Sequence, residues 1–375
     1  MVEPVGVGVI GLGIIGRKHL EEYLKRSDVR VVGVADVNRE ALEWAAKRGG
    51  VPNVYTDFRL LLKNDEVQAV DVCVHNNLHA PIAIECLRAG KHVYVEKPLA
   101  GSYADGRAMV EVAKQCGRML HMQLDTVFTP QTKAAKAIID GGRLGKVFLA
   151  RASGYRRRGR PFVDGYGTKF FVEKEWAGGG ALLDTGVYAL GQILYLLGNP
   201  KPSLIKGRVF QEMPMNEERR RESGFNVEEL AVGFAELEND VSLEVFEAWA
   251  VNLGSVEGSY IVGSLGGLRI APWHREGEVP LSYHTSISDI DADSVFDLKA
   301  YDFRRHAYNR DEDAYDSSLS HWVAALQKRV GLLPTAQLGL NHLLLTEGVY
   351  MSSKLRREVA AEEVEQKSVS TAVKV

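Results

Sequence analysis

The chain has 375 residues, 45% hydrophobic and 25% charged, with a formal net charge of -3. At roughly 100 to 200 residues per domain, that length asks for two domains, each able to bury its own core. The near balance of charge and the lack of a long acidic or basic run argue against nucleic acid or an anionic membrane surface as a partner.

The first strand starts almost at once in "VGVGVIGLG", with no charged n-region or small-residue cleavage site before it, so no secretory signal is expected and the cytoplasm is the expected compartment. Cys73, Cys86 and Cys116 show no CxxC or CxxxxC spacing and lie in apolar periodic segments, as reduced core thiols do. There is no HExxH, no paired Cys/His set and no carboxylate cluster with ligand spacing, so no metal is expected.

Residues 1–125 alternate β-branched runs with amphipathic segments, the pattern of a doubly wound parallel sheet wrapped by helices, a Rossmann architecture. Candidate strands are Val5–Ile10, Val29–Ala35, Ala69–Val74, His92–Val95 and Met119–Met122. In "VGVIGLGIIGRKHLEEYL" the first strand runs into Gly11, Gly13 and Gly16 and then a helix. Gly11 suits a tight turn, Gly13 lets the backbone approach a pyrophosphate, and Gly16 allows close packing of helix and strand. Ile14 and Ile15, at the helix start where the pyrophosphate would sit, are further candidate cofactor contacts. Asp36 ends the second strand 20 residues beyond Gly16, placed to accept from both ribose hydroxyls and to repel a 2'-phosphate. NAD is therefore expected over NADP, with Arg39 as the residue that would offset the repulsion.

The strand "AVDVCV" leads into "HNNLHAPIAIECL", which puts Asn76 and His79 at the ligand-binding edge of the sheet, as cofactor contacts or as a turn residue and a first-turn helix residue. At the same edge "VYVEKPLA" supplies Glu96 and Lys97. Pro98 restricts the lysine backbone to extended conformations and permits a cis bond, which fixes the direction of its side chain. A lysine aimed over a nicotinamide would hold positive charge beside a reacting hydroxyl.

Residues 126–360 read as an α+β domain. One helix, "QTKAAKAIIDGG", precedes strand-like runs such as "KVFLARASGY", "LAVGFAELEN" and "VSLEVFEAW", which suit a large, mainly antiparallel open sheet. Two late helices follow, and the tail 361–375 reads as frayed from Ala360 onward. Within this half, "YRRRGRPFVDGYGTKF" is a basic loop in which Arg156 or Arg158 is a candidate for binding substrate hydroxyls or an anion, or else part of a solvated surface. Trp249 is expected in the core.

"GGGALLDTGVYALGQILYLLG", Gly178 to Gly198, is apolar enough to raise the question of a membrane span, but Asp184 and three leading glycines exclude it. A helix beginning after Gly180 would set Asp184 and Tyr188 at i and i+4 on one face. A carboxylate on so apolar a helix needs a partner, either a structural one or one in a site facing Lys97.

Taken together, "GLGIIGRKHL", "NNLHAPIAIECLRAGKHVYVEKPLA", "IIDGGRLGKV" and "GGGALLDTGVYALGQILYLLG" resemble, in order and spacing, the Gfo/Idh/MocA family of NAD(P)-dependent oxidoreductases. The resemblance implies a Rossmann domain joined to a C-terminal domain on a large open sheet, and hydride transfer to or from carbohydrates or cyclitols. It implies the active-site roles of Lys97 and Asp184, and association into a dimer or tetramer through the open sheet face. Tyr188 stands where most members carry histidine, as in the subgroup that includes glucose-fructose oxidoreductase and dimeric dihydrodiol dehydrogenases. Further departures are His75, where proline is common, and Val127, where an arginine is usual. The expected division of labour has Tyr188 and Lys97 handling the proton, with Lys97 drawing the phenol toward neutral pH; Asp184 would raise it and is therefore expected to bind a substrate hydroxyl or orient the pair. The alternatives are a hydrolase or lyase that uses bound NAD transiently, and an NAD-bound sugar sensor.

Overall fold

In the computed structural model, which describes residues 3–272 and 278–375, the N-terminal strands are β1 (Val5–Ile10), β2 (Val29–Ala35), β3 (Val54–Tyr55), β4 (Ala69–Val72), β5 (His92–Val95) and β6 (Leu120–Met122). They form one sheet in the order β3-β2-β1-β4-β5-β6, and every pair is parallel. All of β1 and β4 is buried, as strands covered on both faces must be. The covering helices are α1 (Ile14–Leu24), α2 (Arg39–Gly49), α3 (Phe58–Leu62), α4 (Asn76–Arg88) and α5 (Tyr103–Cys116). Local chemistry sets their ends: Asn38 caps α2 by accepting from Glu40 N at 2.9 Å, and Ser102 caps α5 by accepting from Asp105 N at 3.2 Å. Strand order reverses between β1 and β4, and the crevice outside their carboxyl ends is where such a sheet binds ligands.

The second sheet holds β7 (Val147–Tyr155), β8 (Pro202–Phe210), β9 (Leu230–Leu237), β10 (Ser242–Ala248), β11 (Ser259–Gly263), β12 (Gly266–Ile270), β13 (Leu281–Ile287), β14 (Ile290–Val295) and β15 (Val359–Ala360). Their order is β14-β13-β12-β11-β7-β10-β9-β8-β15. The pairs are antiparallel except β7 with β10, whose parallel register brings Glu247 opposite Gly154. Alternation is clear on β10, where Leu243, Val245 and Glu247 are buried and Ser242, Glu244 and Phe246 only partly so. The helices Pro130–Asp140, Gly186–Leu196 and Thr335–Leu355 belong to the same half.

A core cluster runs through both sheets, joining Val70, Val93 and Leu99 to Leu190, Leu243 and Leu343. The helix Ser318–Leu326 crosses back to the first sheet, where Trp322 and Leu319 pack with Val5 and Tyr94, and Ser318 Oγ lies 3.1 Å from His121 Nε2. Among the described residues no helix is long and apolar enough to cross a membrane.

Two expectations are corrected. The tail does not fray: Ala361–Lys367 is helical, and beyond it Ser370 and Thr371 bond to Asp105 while Val373 N donates to Asn77 O at 3.0 Å. A run of small polar residues finds ordered partners across the chain, which local composition does not reveal. Nor is the Gly178–Gly198 stretch one helix: Ala181–Asp184 and Gly186–Leu196 are separate, with Thr185 between them.

Candidate active site

The nucleotide end is built from backbone. Gly11 adopts φ +90, a left-handed conformation in which a Cβ would strike the Cys73 carbonyl, and a Cβ at Gly16 would strike the Gly11 carbonyl. Gly13, by contrast, opens onto free space. No side chain caps α1, so its first-turn N–H groups are left for an anion, and Ile14 and Ile15 stand 71% and 41% exposed beside them. Asp36 lines the adjoining cleft of about 330 Å³ with Leu12, Gly13, Ile14, Arg17 and Asn38. Its two oxygens accept from Leu12 N at 2.5 Å and Asn38 N at 2.7 Å, which fixes the carboxylate and leaves lone pairs for ribose hydroxyls. This cradle fits a dinucleotide. Arg39 is exposed and lies outside the residues lining the cleft. Arg17, which sequence reading passed over, lines it instead, with its guanidinium 4.8 Å from the Trp44 ring centroid. Its place immediately after Gly16 was the available signal.

At the edge of β4 and β5 the candidate residues separate. His79 is fully buried, with ring nitrogens 2.8 Å from Pro98 O and 3.1 Å from Val74 O, and burial holds it below the ordinary histidine range. As a neutral ring it braces the turn after Lys97, so its assignment as a cofactor contact is corrected: nothing of it is left to face a cofactor. Asn76 Nδ2 donates to Ala177 O at 2.8 Å and ties the sheet edge to the segment leading into the Gly178 loop. The Lys97–Pro98 bond is cis.

Lys97 Nζ reaches across to the second domain, 2.6 Å from Asp184 Oδ1 and 2.9 Å from Asp184 O. The second acceptor exists because the helix breaks. In a continuous α-helix Asp184 O would take the N–H of Tyr188; here Tyr188 N bonds Thr185 O at 3.2 Å, and the Asp184 carbonyl is released to the lysine. Tyr188 stays close, its ring centroid 5.0 Å from Lys97 Nζ and its own carbonyl held by Thr126 Oγ at 3.1 Å. Lys97, Asp184 and Tyr188 thus come together, through a kink and not through a shared helical face.

Behind Lys97 charges alternate. Asp71 Oδ2 lies 2.9 Å from His19 Nδ1, and His19 Nε2 lies 3.2 Å from Glu96 Oε1. Glu96 Oε2 accepts from Lys97 N at 3.0 Å. Burial pushes His19 down, but the Asp71 carboxylate more than restores it and the net shift is upward, so the ring is an imidazolium at neutral pH. Burial raises Glu96 and the His19 contact lowers it further, leaving a carboxylate. The same burial would neutralise Lys97, yet Asp184, Tyr188 and Glu96 outweigh it, and the ammonium is held above its usual range. For Tyr188, burial raises the phenol, Lys97 pulls it down, and Glu96 and Asp184 raise it again. Lys97 and Asp184 act in the directions expected, but the net shift is upward, because desolvation exceeds the pull of an ammonium already paired with a carboxylate. Glu96 accordingly supports Lys97 from behind.

His19 and Asp71 were missed because nothing in a strand or a helix pattern pairs them. With Cys73 they form a buried group of potential metal ligands, His19 Nδ1, Asp71 and Cys73 Sγ lying within 4.8 Å of one another. These atoms already satisfy each other, the thiol donating to Asp71 Oδ1 at 3.1 Å. Cys73, Cys86 and Cys116 are all free thiols.

The basic loop divides its arginines. Arg160 is buried between Asp164 and Glu229, at 2.9 Å from each. Arg156 donates to the Tyr166 hydroxyl and stacks on its ring at 5.0 Å, and Tyr166 feels the charges of Asp184 and Lys97, which places this pair beside the site. Arg158 is exposed. Trp249 is fully buried, as expected. The departures have local reasons: His75 packs its ring 4.7 Å from Phe170 and 6.0 Å from Trp176, and Val127 is buried in a 3-10 turn.

Residues 5–124 match the oxidoreductase family with an NAD-binding Rossmann fold, and residues 132–269 match the GFO/IDH/MocA C-terminal domain. The chain is 28% identical over 298 residues to D-glucoside 3-dehydrogenase of Escherichia coli K12, covering 76% of this chain and 84% of that one. It is 30% identical over 201 residues to trans-1,2-dihydrobenzene-1,2-diol dehydrogenase of Macaca fascicularis, covering 53% and 58%. Levoglucosan dehydrogenase, solved in complex with NADH and levoglucosan, superposes with a TM-score of 0.76 at 21% identity, covering 96% of this chain and 100% of that one. With both halves matched and the sheet topology in agreement, the chain belongs to the GFO/IDH/MocA family of NAD-binding oxidoreductases.

Proposed function

We propose that this protein is an NAD(H)-dependent oxidoreductase that transfers hydride between nicotinamide and a CH-OH or C=O group of a sugar or sugar-like polyol, and that Lys97, Asp184 and Tyr188 are its catalytic residues. The observation that carries the reading is the meeting of Lys97 Nζ with Asp184 Oδ1 at 2.6 Å, beside the Tyr188 ring and at the sheet edge that bears the glycine loop. The relatives named above act on a glucoside, a diol and an anhydro sugar, which supports the substrate class.

Bound nicotinamide supplies the hydride acceptor or donor. Lys97, fixed as an ammonium, stabilises negative charge on the substrate oxygen. Tyr188, held protonated, gives its proton to that oxygen in reduction; in oxidation it must first release its own proton before it can accept one from the substrate hydroxyl. Asp184 locks Lys97 with Oδ1 and the main-chain carbonyl, and its second carboxylate oxygen accepts from a neighbouring substrate hydroxyl. Gly11, Gly13, Ile14, Ile15 and Gly16 cradle the pyrophosphate, and Asp36 takes the ribose hydroxyls and selects NAD over NADP. With tyrosine at position 188, the protein falls in the tyrosine-bearing subgroup of the family.

In the same reading the protein is cytoplasmic, where its free thiols stay reduced, and it is a homo-oligomer. Val232 and Phe234 on β9, with Lys206 and Arg208 on β8, line a shallow groove of about 690 Å³ on the second sheet, and a second copy would cover it. The test is absorbance of NADH and NADPH during turnover with aldoses, ketoses, inositols and anhydro sugars. Net NADH turnover with at least one of them is expected. Binding of NAD without net redox change for any of them would overturn the reading in favour of a sensor or a lyase.

A further inference from the structure

The break that releases the Asp184 carbonyl is braced from β10. Thr185 Oγ lies 3.0 Å from Ala181 O, one turn back, and 2.7 Å from Glu247 Oε1. A threonine hydroxyl owns a single proton and can donate to only one of these acceptors. Both contacts are satisfied together when the carboxyl brings its own proton: Glu247 donates to Thr185 Oγ, and Thr185 donates to Ala181 O.

The surroundings favour that neutral form. Glu247 is 4% exposed, and Gly154 makes room for it. A Cβ at Gly154 on β7 would run into its carboxyl group, and one at Gly186, just past the break, would lie 3.5 Å from its Cγ. Across the ladder on β9 it faces Ala231. The charged groups around it are Arg156 after β7, Asp184 before the break and Lys97 after β5. Burial pushes the carboxyl up, the Thr185 contact, Arg156 and Lys97 pull it down, Asp184 raises it again, and the balance lies at about 8.

We propose that Glu247 is a positioning residue: as a neutral carboxyl it donates to Thr185, holds the helix break open at Asp184, and thereby gives Lys97 Nζ its pair of acceptors. This rests on reading Lys97, Asp184 and Tyr188 as the reacting group. Ionisation of Glu247 would turn the Thr185 hydroxyl toward the carboxylate, leave the Ala181 carbonyl with only the Thr185 N–H at 3.0 Å, and set a second negative charge beside Asp184.

Two measurements test it. The first needs no substrate. The infrared difference spectrum of the full-length protein minus its Glu247→Gln variant should contain a protonated-carboxyl band at pH 7 that fades as pH passes about 8; absence of that band at pH 7 would overturn the proposal. The second uses carbonyl reduction, which starts from Tyr188 in its protonated form. Wild-type kcat should fall about tenfold per pH unit above that point. Glu247→Gln, whose amide donates to Thr185 but cannot ionise, should lose this alkaline limb. Glu247→Ala should lower kcat about a hundredfold, and the glutamine should restore most of it. An alkaline limb unchanged in Glu247→Gln, or an alanine variant as fast as the glutamine one, would overturn the positioning role. Failure of every sugar and polyol would sink the proposed function, while the infrared band would still report whether Glu247 carries the proton.

Discussion

Between Gly11 and Gly16 the protein works with peptide groups that carry no formal charge, whereas between Lys97 and Asp184 it works with ions brought together from positions 87 residues apart. The first region is fixed by what the backbone can do locally: a positive φ at Gly11, a missing Cβ at Gly13, an uncapped helix start. The second is fixed by compensation. Asp71, His19, Glu96, Lys97 and Asp184 alternate in sign from the heart of the first sheet to the break in the second domain, and each buried charge is tolerated because its neighbours oppose it. The pyrophosphate end of the cradle can therefore be written in six consecutive residues, but the proposed acid-base site needs two folded domains already in place.

Substitutions that hit one region and spare the other separate the two. The largest effect is expected from Lys97→Met, which leaves Asp184 buried without its cation and removes the charge beside the substrate oxygen. kcat should fall about a thousandfold, while NADH affinity, read by fluorescence, stays within about threefold of wild type, because the glycine loop is untouched. An equal loss of NADH affinity would merge the two regions into one. Gly13→Ala makes the reciprocal cut. Since its Cβ would meet no protein atom, Tm should not move, but affinity for NADH should drop about ten- to a hundredfold as the methyl group occupies the space of the pyrophosphate. Unchanged affinity would remove Gly13 from the cradle. The smallest effect is expected from removing residues 369–375, which bond to Asp105 and Asn77. Tm should fall by about 2 to 4 °C with kcat unaltered; a loss of activity would mean that the tail contributes to the site.

The same contrast explains how much could be read before the structure. Gly11, Gly16 and Asp36 fall where their spacing puts them, because strand, turn and helix follow one another without help from distant residues. Lys97 was legible through Pro98, and Asp184 through the oddity of a carboxylate in an apolar run. What could not be read was the break at Thr185. Its cause lies partly in a lysine from the other domain that takes the Asp184 carbonyl, and in Glu247 about 60 residues downstream. His79 misled for a related reason: its position at the sheet edge was right, but its ring turns inward to the Pro98 carbonyl. The direction of the Tyr188 shift likewise depends on burial and on three charges drawn from both domains. The ordered tail rests on partners at Asp105 and Asn77 that no local pattern announces.

The central claim is that a phenol beside Lys97 carries the proton, and Tyr188→Phe tests it most directly. Single-turnover reduction of the best carbonyl substrate, with NADH binding measured on the same samples, should show the hydride step slowed about a hundredfold or more and NADH affinity unchanged. A variant that transfers hydride at the wild-type rate would contradict the account.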